Sequence, residues 1–289
     1  MDKSGLISRI QKYSSTFSKG HQRIAQYITT HYDKAAFMTA EKLGEMAGVS
    51  ESTVVRFAVV LGYEGYPMLQ RAMQELILSK LTAVQRIEVS DDRLDQNDVL
   101  RSVLTKDAEK IQTTLEEISK KDFDAVVETL LSANRIYILG ARSSASLASF
   151  MSFYFNLIFE DVRLVQTDGI GEIFEHILRV KKGDAVVGIS FPRYSRRTIQ
   201  SLAYAKTQGA DTIAITDGPR SPLTAHADLA LFAGSDMASF ADSLVAPLSV
   251  INALIVACGL RRRAQTYEAL NRLETLWAEY QIYEQPEGE

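Results

Sequence analysis

The sequence predicts two fold classes in one chain: an all-α helix-turn-helix domain, then an α/β domain with a five-stranded, mainly parallel sheet. Three observations carry this. Residues 37–57 hold two short helical patterns joined at Gly48. From residue 135 on, short apolar runs alternate with helical patterns, the order that winds a parallel sheet with both faces covered. Between these stretches, Asp91-Asp92-Arg93-Leu94-Asp95-Gln96-Asn97-Asp98 is acidic and has no apolar period, as in a linker. The expected domains are 1–80, a linker over 81–98, and 99–289.

The first 33 residues read as helical. One apolar stripe runs through Ile7, Ile10, Tyr13 and Phe17, a second through Ile24, Tyr27, Ile28 and Tyr32, with a loop around Ser18-Lys19-Gly20. Thr39 is placed to cap a short helix through Ala47. Gly48 supplies the backbone freedom for a tight turn, and Val49 packs inward. Ser50 caps a second helix through Leu61, with Val54, Phe57, Ala58 and Leu61 facing the core. In a helix-turn-helix the second helix enters the DNA major groove. The candidate DNA-binding residues are Thr39, Ser50, Glu51, Ser52, Thr53 and Arg56. Arg can read guanine through two hydrogen bonds, and Ser and Thr can hold phosphates. The competing reading is a plain helical hairpin that binds no DNA. Residues 1–80 hold ten Lys and Arg against seven Asp and Glu, whereas residues 81–289 hold 22 against 29. A basic domain on an acidic one hints at nucleic acid.

In the second domain an amphipathic helix is expected from Val99 to Ile118, and another, capped by Asp122, through Leu131. Strands are expected at Ile136–Leu139, Val162–Val165, Ala185–Ile189, Thr212–Thr216 and Leu229–Phe232. The helix from Ser146 to Phe159 is apolar almost all round, and Ser243 to Leu260 is uncharged and mostly apolar. Burying both in one domain of this size is difficult, so at least a dimer is expected. The last helix, near Ala264 to Tyr280, suits packing or a dimer surface. A membrane span needs about 20 apolar residues; the 243–260 run is short and interrupted by Pro247, Ser249 and Asn252. Met1-Asp2-Lys3-Ser4-Gly5 lacks a signal-peptide pattern, so the cytoplasm is the expected location. The lone cysteine, Cys258, excludes an internal disulfide, and the four scattered histidines show no metal-ligand spacing.

Two strand ends stand out. The first continues as Gly140-Ala141-Arg142-Ser143-Ser144, the second as Ser190-Phe191-Pro192-Arg193-Tyr194-Ser195-Arg196-Arg197-Thr198. Ligands in open α/β sheets bind outside the carboxyl ends of the strands. Helix starts there offer free N–H groups to an anion, and Arg offers a planar fork. The candidate ligand-binding residues are Arg142, Ser143, Ser144, Ser190, Arg193, Ser195, Arg196 and Thr198, and the simplest ligand is a phosphate ester. The bland reading is that Ser and Thr are ordinary helix caps and Arg an ordinary surface residue.

The run Val49-Ser50-Glu51-Ser52-Thr53-Val54-Val55-Arg56-Phe57, with its tail Leu61-Gly62-Tyr63-Glu64-Gly65-Tyr66, resembles the amino-terminal domain of RpiR-type bacterial regulators of sugar metabolism. The second domain resembles the SIS (sugar isomerase) fold that follows it in that family. There, a Gly-x-Gly-x-Ser turn and a Ser-x-Ser-Gly-x-Thr turn hold a sugar phosphate. Ser144 matches the serine of the first, and Arg142 replaces a glycine. Ser190, Ser195 and Thr198 match the hydroxyls of the second, with two extra residues and Arg196 at the glycine position. The resemblance implies a transcriptional regulator of carbohydrate metabolism, not an enzyme. Its partners would be double-stranded operator DNA and a phosphorylated sugar or sugar-acid effector. It would form a homodimer or homotetramer, with no cofactor and no membrane. Arg193 lies in the two-residue insertion, which favours a strongly anionic effector. The alternatives are a sugar-phosphate isomerase, with Glu172, Glu175 and His176 near a strand end to supply a base, and a ligand-free interaction protein.

Overall fold

The computed structural model describes residues 6–78, 98–165, 172–235 and 241–283. The linker expected over 81–98 lies almost wholly outside them. The chain divides near residue 99 into two compact units.

The amino-terminal unit is helical: α1 (Leu6–Tyr13), α2 (Lys19–Thr30), α3 (Tyr32–Ala35), α4 (Ala40–Ala47), α5 (Glu51–Val60) and α6 (Tyr66–Leu78). Hydroxyls set two of the starts. Ser18 Oγ accepts from the His21 N–H at 3.2 Å, and Thr39 Oγ1 from the Lys42 N–H at 3.1 Å. Gly48 ends α4 in the left-handed region at φ 64°, which a side chain would make costly. The Val49 N–H then closes back on the Gly44 carbonyl at 2.8 Å. A Cβ on Gly44 would sit 2.9 Å from the Val49 carbonyl oxygen. α4 and the start of α5 therefore meet backbone to backbone. Ile24, Ile28, Leu43, Val54, Phe57, Leu61 and Leu69 form the core beneath them. Tyr66 Oη and Gln70 Nε2 donate to the Met38 carbonyl at 2.6 and 2.7 Å and tie α6 to the chain before α4.

The second unit opens with α7 (Val99–Glu117) and α8 (Lys120–Ser132). The cap of α8 is Ser119, whose Oγ accepts from the Asp122 N–H at 3.2 Å. Asp122, expected as the cap, sits in the first turn, where its charge still meets the positive end of the helix. Then follow β1 (Ile136–Gly140), α9 (Ser143–Phe155), β2 (Val162–Val165), α10 (Glu172–Ile177), β3 (Ala185–Ile189), α11 (Arg196–Thr207), β4 (Asp211–Thr216), β5 (Leu229–Phe232), α12 (Val245–Arg261) and α13 (Arg263–Glu279). The strands form one parallel sheet in the order β2-β1-β3-β4-β5. β1 connects outward to β2, whereas β3 connects the other way to β4. Right-handed crossovers in opposite directions put α9 and α11 on opposite faces. Ile136, Ile138, Val187 and Ile213 point to the layer of α8, α9 and α12. Tyr137, Leu139, Val186 and Ala214 point to that of α10 and α11.

The two apolar helices expected to need a second subunit bury much of each other. α9 contributes Leu147, Ala148, Met151 and Phe155, and α12 contributes Val250, Ile251, Leu254 and Cys258, to one core cluster. One sheet face plus a helix–helix seam takes up part of that apolar surface, while Phe153 and Tyr154 on α9 and Leu248, Val256 and Leu260 on α12 stay exposed. α9 also begins and ends earlier than its apolar run suggested. Pro247 falls in the first turn of α12, where no backbone N–H has a partner within the helix. Among the described residues, no single helix is long and apolar enough to cross a membrane, and no group of three or more His, Cys, Asp or Glu could hold a metal ion.

Candidate functional site

β1 and β3 are neighbours in register, Gly140 level with Ile189, so the two turns beyond them lie side by side. Their helices leave to opposite faces and open a crevice at the carboxyl ends of the strands. A cavity of about 970 Å³ lies there. Its wall includes Arg142, Arg193, Arg197, Tyr194, Ser195, Thr198 and Glu172, with Leu139, Val165 and Ile173 as apolar surface.

The first turn is fixed by close backbone packing. A Cβ on Gly140 would collide with the Ser144 carbonyl oxygen and lie 2.9 Å from the Ala148 Cβ. Glycine here lets α9 lie against its own strand. Arg142 follows at φ 57°, and the Ser144 N–H returns to the Ala141 carbonyl at 3.2 Å. Ser144 is buried and Ser143 is exposed, and neither lines the cavity.

The second turn is fixed by side chains. Ser190 is buried and its Oγ accepts from the Ser195 N–H at 3.0 Å. Its carbonyl accepts from Thr216 Oγ1 at 2.8 Å. Ser195 caps α11 by accepting from the Thr198 N–H at 3.4 Å. Tyr194 Oη donates to both oxygens of Asp217 at 3.0 Å. Burial pushes the Asp217 carboxyl above its ordinary pKa, and hydrogen bonds from Tyr194 and Thr216 pull it part of the way back. Between these ties Arg193 stands at φ 68°.

Of the predicted residues, the cavity thus brings together Arg142, Arg193, Ser195 and Thr198. Ser143, Ser144, Ser190 and Arg196 lie outside its wall. Arg197 and Tyr194 belong to it and were not among the candidate ligand-binding residues, and Glu172, named only as a base for the isomerase alternative, belongs to it too. Arg196, Arg197 and Thr198 together form the first turn of the helix capped by Ser195, and no spacing in the sequence separates Arg197 from Arg196. Glu175 and His176 are exposed on α10 and do not line the cavity.

On α5, Glu51, Ser52 and Arg56 are exposed and Thr53 is half-buried. Ser50 stands at the N-cap, yet its side chain accepts no backbone N–H. Its Oγ lies 3.0 Å from Ser52 Oγ and 2.9 Å from Thr53 Oγ1. Arg56 folds back along the helix, its Nε donating to the Ser52 carbonyl at 3.1 Å. Thr39 is exposed and serves as the cap of α4. His21, packed against Phe57, has its pKa lowered by burial and then by the Arg56 charge. Val55 and Val59 are also exposed, at 37% and 56%. Apolar residues on a helix read as core, and these two went unnoticed.

Residues 4–80 match the helix-turn-helix domain of the rpiR family, and residues 129–257 match the SIS domain. An HTH-type transcriptional regulator of Caldanaerobacter subterraneus subsp. tengcongensis is 25% identical, over 87% of this chain and 89% of its own. Among solved structures, the sugar isomerase domain of an RpiR transcription factor from Sphaerobacter thermophilus is similar at 25% identity and a TM-score of 0.59. It covers 62% of this chain and 99% of its own. The Vibrio vulnificus NanR protein complexed with ManNAc-6P is similar in fold at 19% identity and a TM-score of 0.56, over 95% of this chain and 98% of its own. With an amino-terminal helix-turn-helix of that family joined to a SIS domain, the chain belongs to the RpiR-type transcriptional regulators.

Proposed function

We propose that the protein binds double-stranded operator DNA through α5 and regulates genes of carbohydrate metabolism in response to a phosphorylated sugar or sugar acid. The observation that carries the effector reading is the cavity wall: three arginines and two hydroxyls converge where two helices begin. That donor set suits a ligand with more than one anionic group. Arg142, Arg193, Arg197, Ser195 and Thr198 hold it. Ser190 supports the second turn from behind, Ser143 and Ser144 open α9, and Arg196 adds charge at the rim. The phosphorylated ligand of NanR is of the same class. On α5, Arg56 reads a base while Ser50, Glu51, Ser52 and Thr53 line the groove, and Thr39 holds α4 in place. The working form is a homodimer or homotetramer in the cytoplasm. The effector must favour one of two subunit geometries, or nothing switches.

A thermal-shift panel of phosphorylated sugars and sugar acids tests the effector. A raised melting temperature with a phosphorylated member, lost at high salt, is the expected result; the same shift from a neutral sugar overturns it. Arg56→Ala is expected to lose about 1–3 kcal/mol of specific DNA affinity with an unchanged melting temperature; unchanged gel-shift affinity removes Arg56 from the reading set. Glu172 in the wall gives one specific ground for the isomerase alternative, since moving a proton between sugar carbons needs a base. Turnover of a sugar phosphate, abolished in Glu172→Gln, would establish that reading instead.

A further inference from the structure

The exposed face of α5 is not wholly polar. Val54 is fully buried, but Val55 is 37% exposed and Val59, one turn on, is 56% exposed. Neither contributes to the core of the unit. Valine is also a weaker helix former than alanine or leucine. The fold therefore gains little from valine at either position. Val55 sits between Ser52 and Arg56, three residues from one and adjacent to the other, in the half of the helix that leads into the groove. The Arg56 side chain lies back toward Ser52, with Nη2 3.4 Å from Ser52 Oγ, so the polar groups and the apolar one make a continuous surface.

A surface of that kind has one matching group in the major groove. Each base pair presents hydrogen-bonding edges there, and only thymine adds an apolar group, its C5 methyl. Residues early in the second helix of a helix-turn-helix reach base edges, and later ones leave the groove. Resting on the DNA-binding reading of α5, we infer that Val55 packs against the C5 methyl of a thymine in the operator and makes that base pair part of the recognised sequence. Val59, a turn further along, lies outside the reading set. The occupant is a DNA base rather than a second protein surface because the strip is continuous with the residues placed to hydrogen-bond bases.

The test uses the full chain and a duplex enriched from a random-sequence library. Each thymine of that duplex is replaced singly by deoxyuridine, which removes the methyl and leaves the pairing edge intact. One thymine in each half-site is expected to lose about four-fold in wild-type affinity on replacement, the worth of about one buried methyl group. Val55→Ala is expected to bind the thymine and deoxyuridine duplexes equally, and Val59→Ala to keep the wild-type difference. An enriched duplex in which no thymine is sensitive, or a sensitivity that persists in Val55→Ala, overturns the inference and leaves DNA binding intact. Failure to enrich any sequence overturns the DNA-binding reading itself, and this inference with it.

Discussion

Gly140–Ser144 and Ser190–Thr198 perform the same task, carrying the chain from a strand into a helix at the rim of one cavity, by different physics. Among the described residues, few side chains tie the first turn. Its shape is set by the approach of α9 to β1, close enough that a Cβ on Gly140 would enter the space of the Ser144 carbonyl. The second turn is longer and is held by side-chain hydrogen bonds, within it from Ser190 and Ser195 and across to Asp217 and Thr216 through Tyr194 and the Ser190 carbonyl. A turn defined by close packing tolerates little change anywhere. A turn hung on side-chain hydrogen bonds can carry variable residues between its attachment points, and Arg193 is one of those. The comparison predicts that substitutions in the first turn act on folding, and those between the ties of the second act on binding.

The largest expected effect tests the first half of that statement. Gly140→Ala forces backbone apart and should destabilise the second unit by about 2–3 kcal/mol. Denaturant unfolding measures this, and a loss under about 0.5 kcal/mol, the size of an ordinary surface change, would show that α9 can shift freely. Next in size is Arg193→Gly. Removing a side chain held at positive φ should raise stability by up to about 1 kcal/mol, while calorimetric affinity for a phosphorylated sugar acid falls. A variant that is both less stable and unchanged in affinity would break the comparison, because Arg193 would then be structural. The smallest effect is at Asp217. Its native pKa is raised, chiefly by burial, so its titration stabilises the fold fully below the ordinary carboxylate range and less as pH rises through its own higher value. Asp217→Asn still accepts from Tyr194 but does not titrate. Wild-type stability relative to Asp217→Asn should therefore fall with rising pH across that window, and a difference that is flat in pH would place the Asp217 charge outside the energetics of the turn.

All five strands were legible to within one residue at each end, since each is an apolar run bounded by turn residues. The helix-turn-helix was legible because Gly48 and the buried positions Val54, Phe57 and Ala58 fix the helical phase. That same phase places Val55 about 100° away from Val54, so its exposure could have been read from the pattern. The mutual burial of α9 and α12 could not. Periodicity reports how much apolar surface a helix carries, not which neighbour covers it. The serines of the first turn were harder for a related reason. A hydroxyl after a strand is equally a ligand donor or part of a helix's first turn, and only the path of the chain through Arg142 decides that Ser144 is buried.

Cys258 lies fully buried in α12, and burial pushes its thiol pKa up to about 12. At neutral pH almost none of it is thiolate, and no reagent reaches it while the unit is folded. The folded protein is therefore expected to take up almost no maleimide, which mass spectrometry after labelling checks. A cysteine introduced at Val59 or at Arg193 would be the sole labelled position without first replacing the native residue, so a fluorophore on α5 or at the cavity rim can report on either unit in an otherwise wild-type chain.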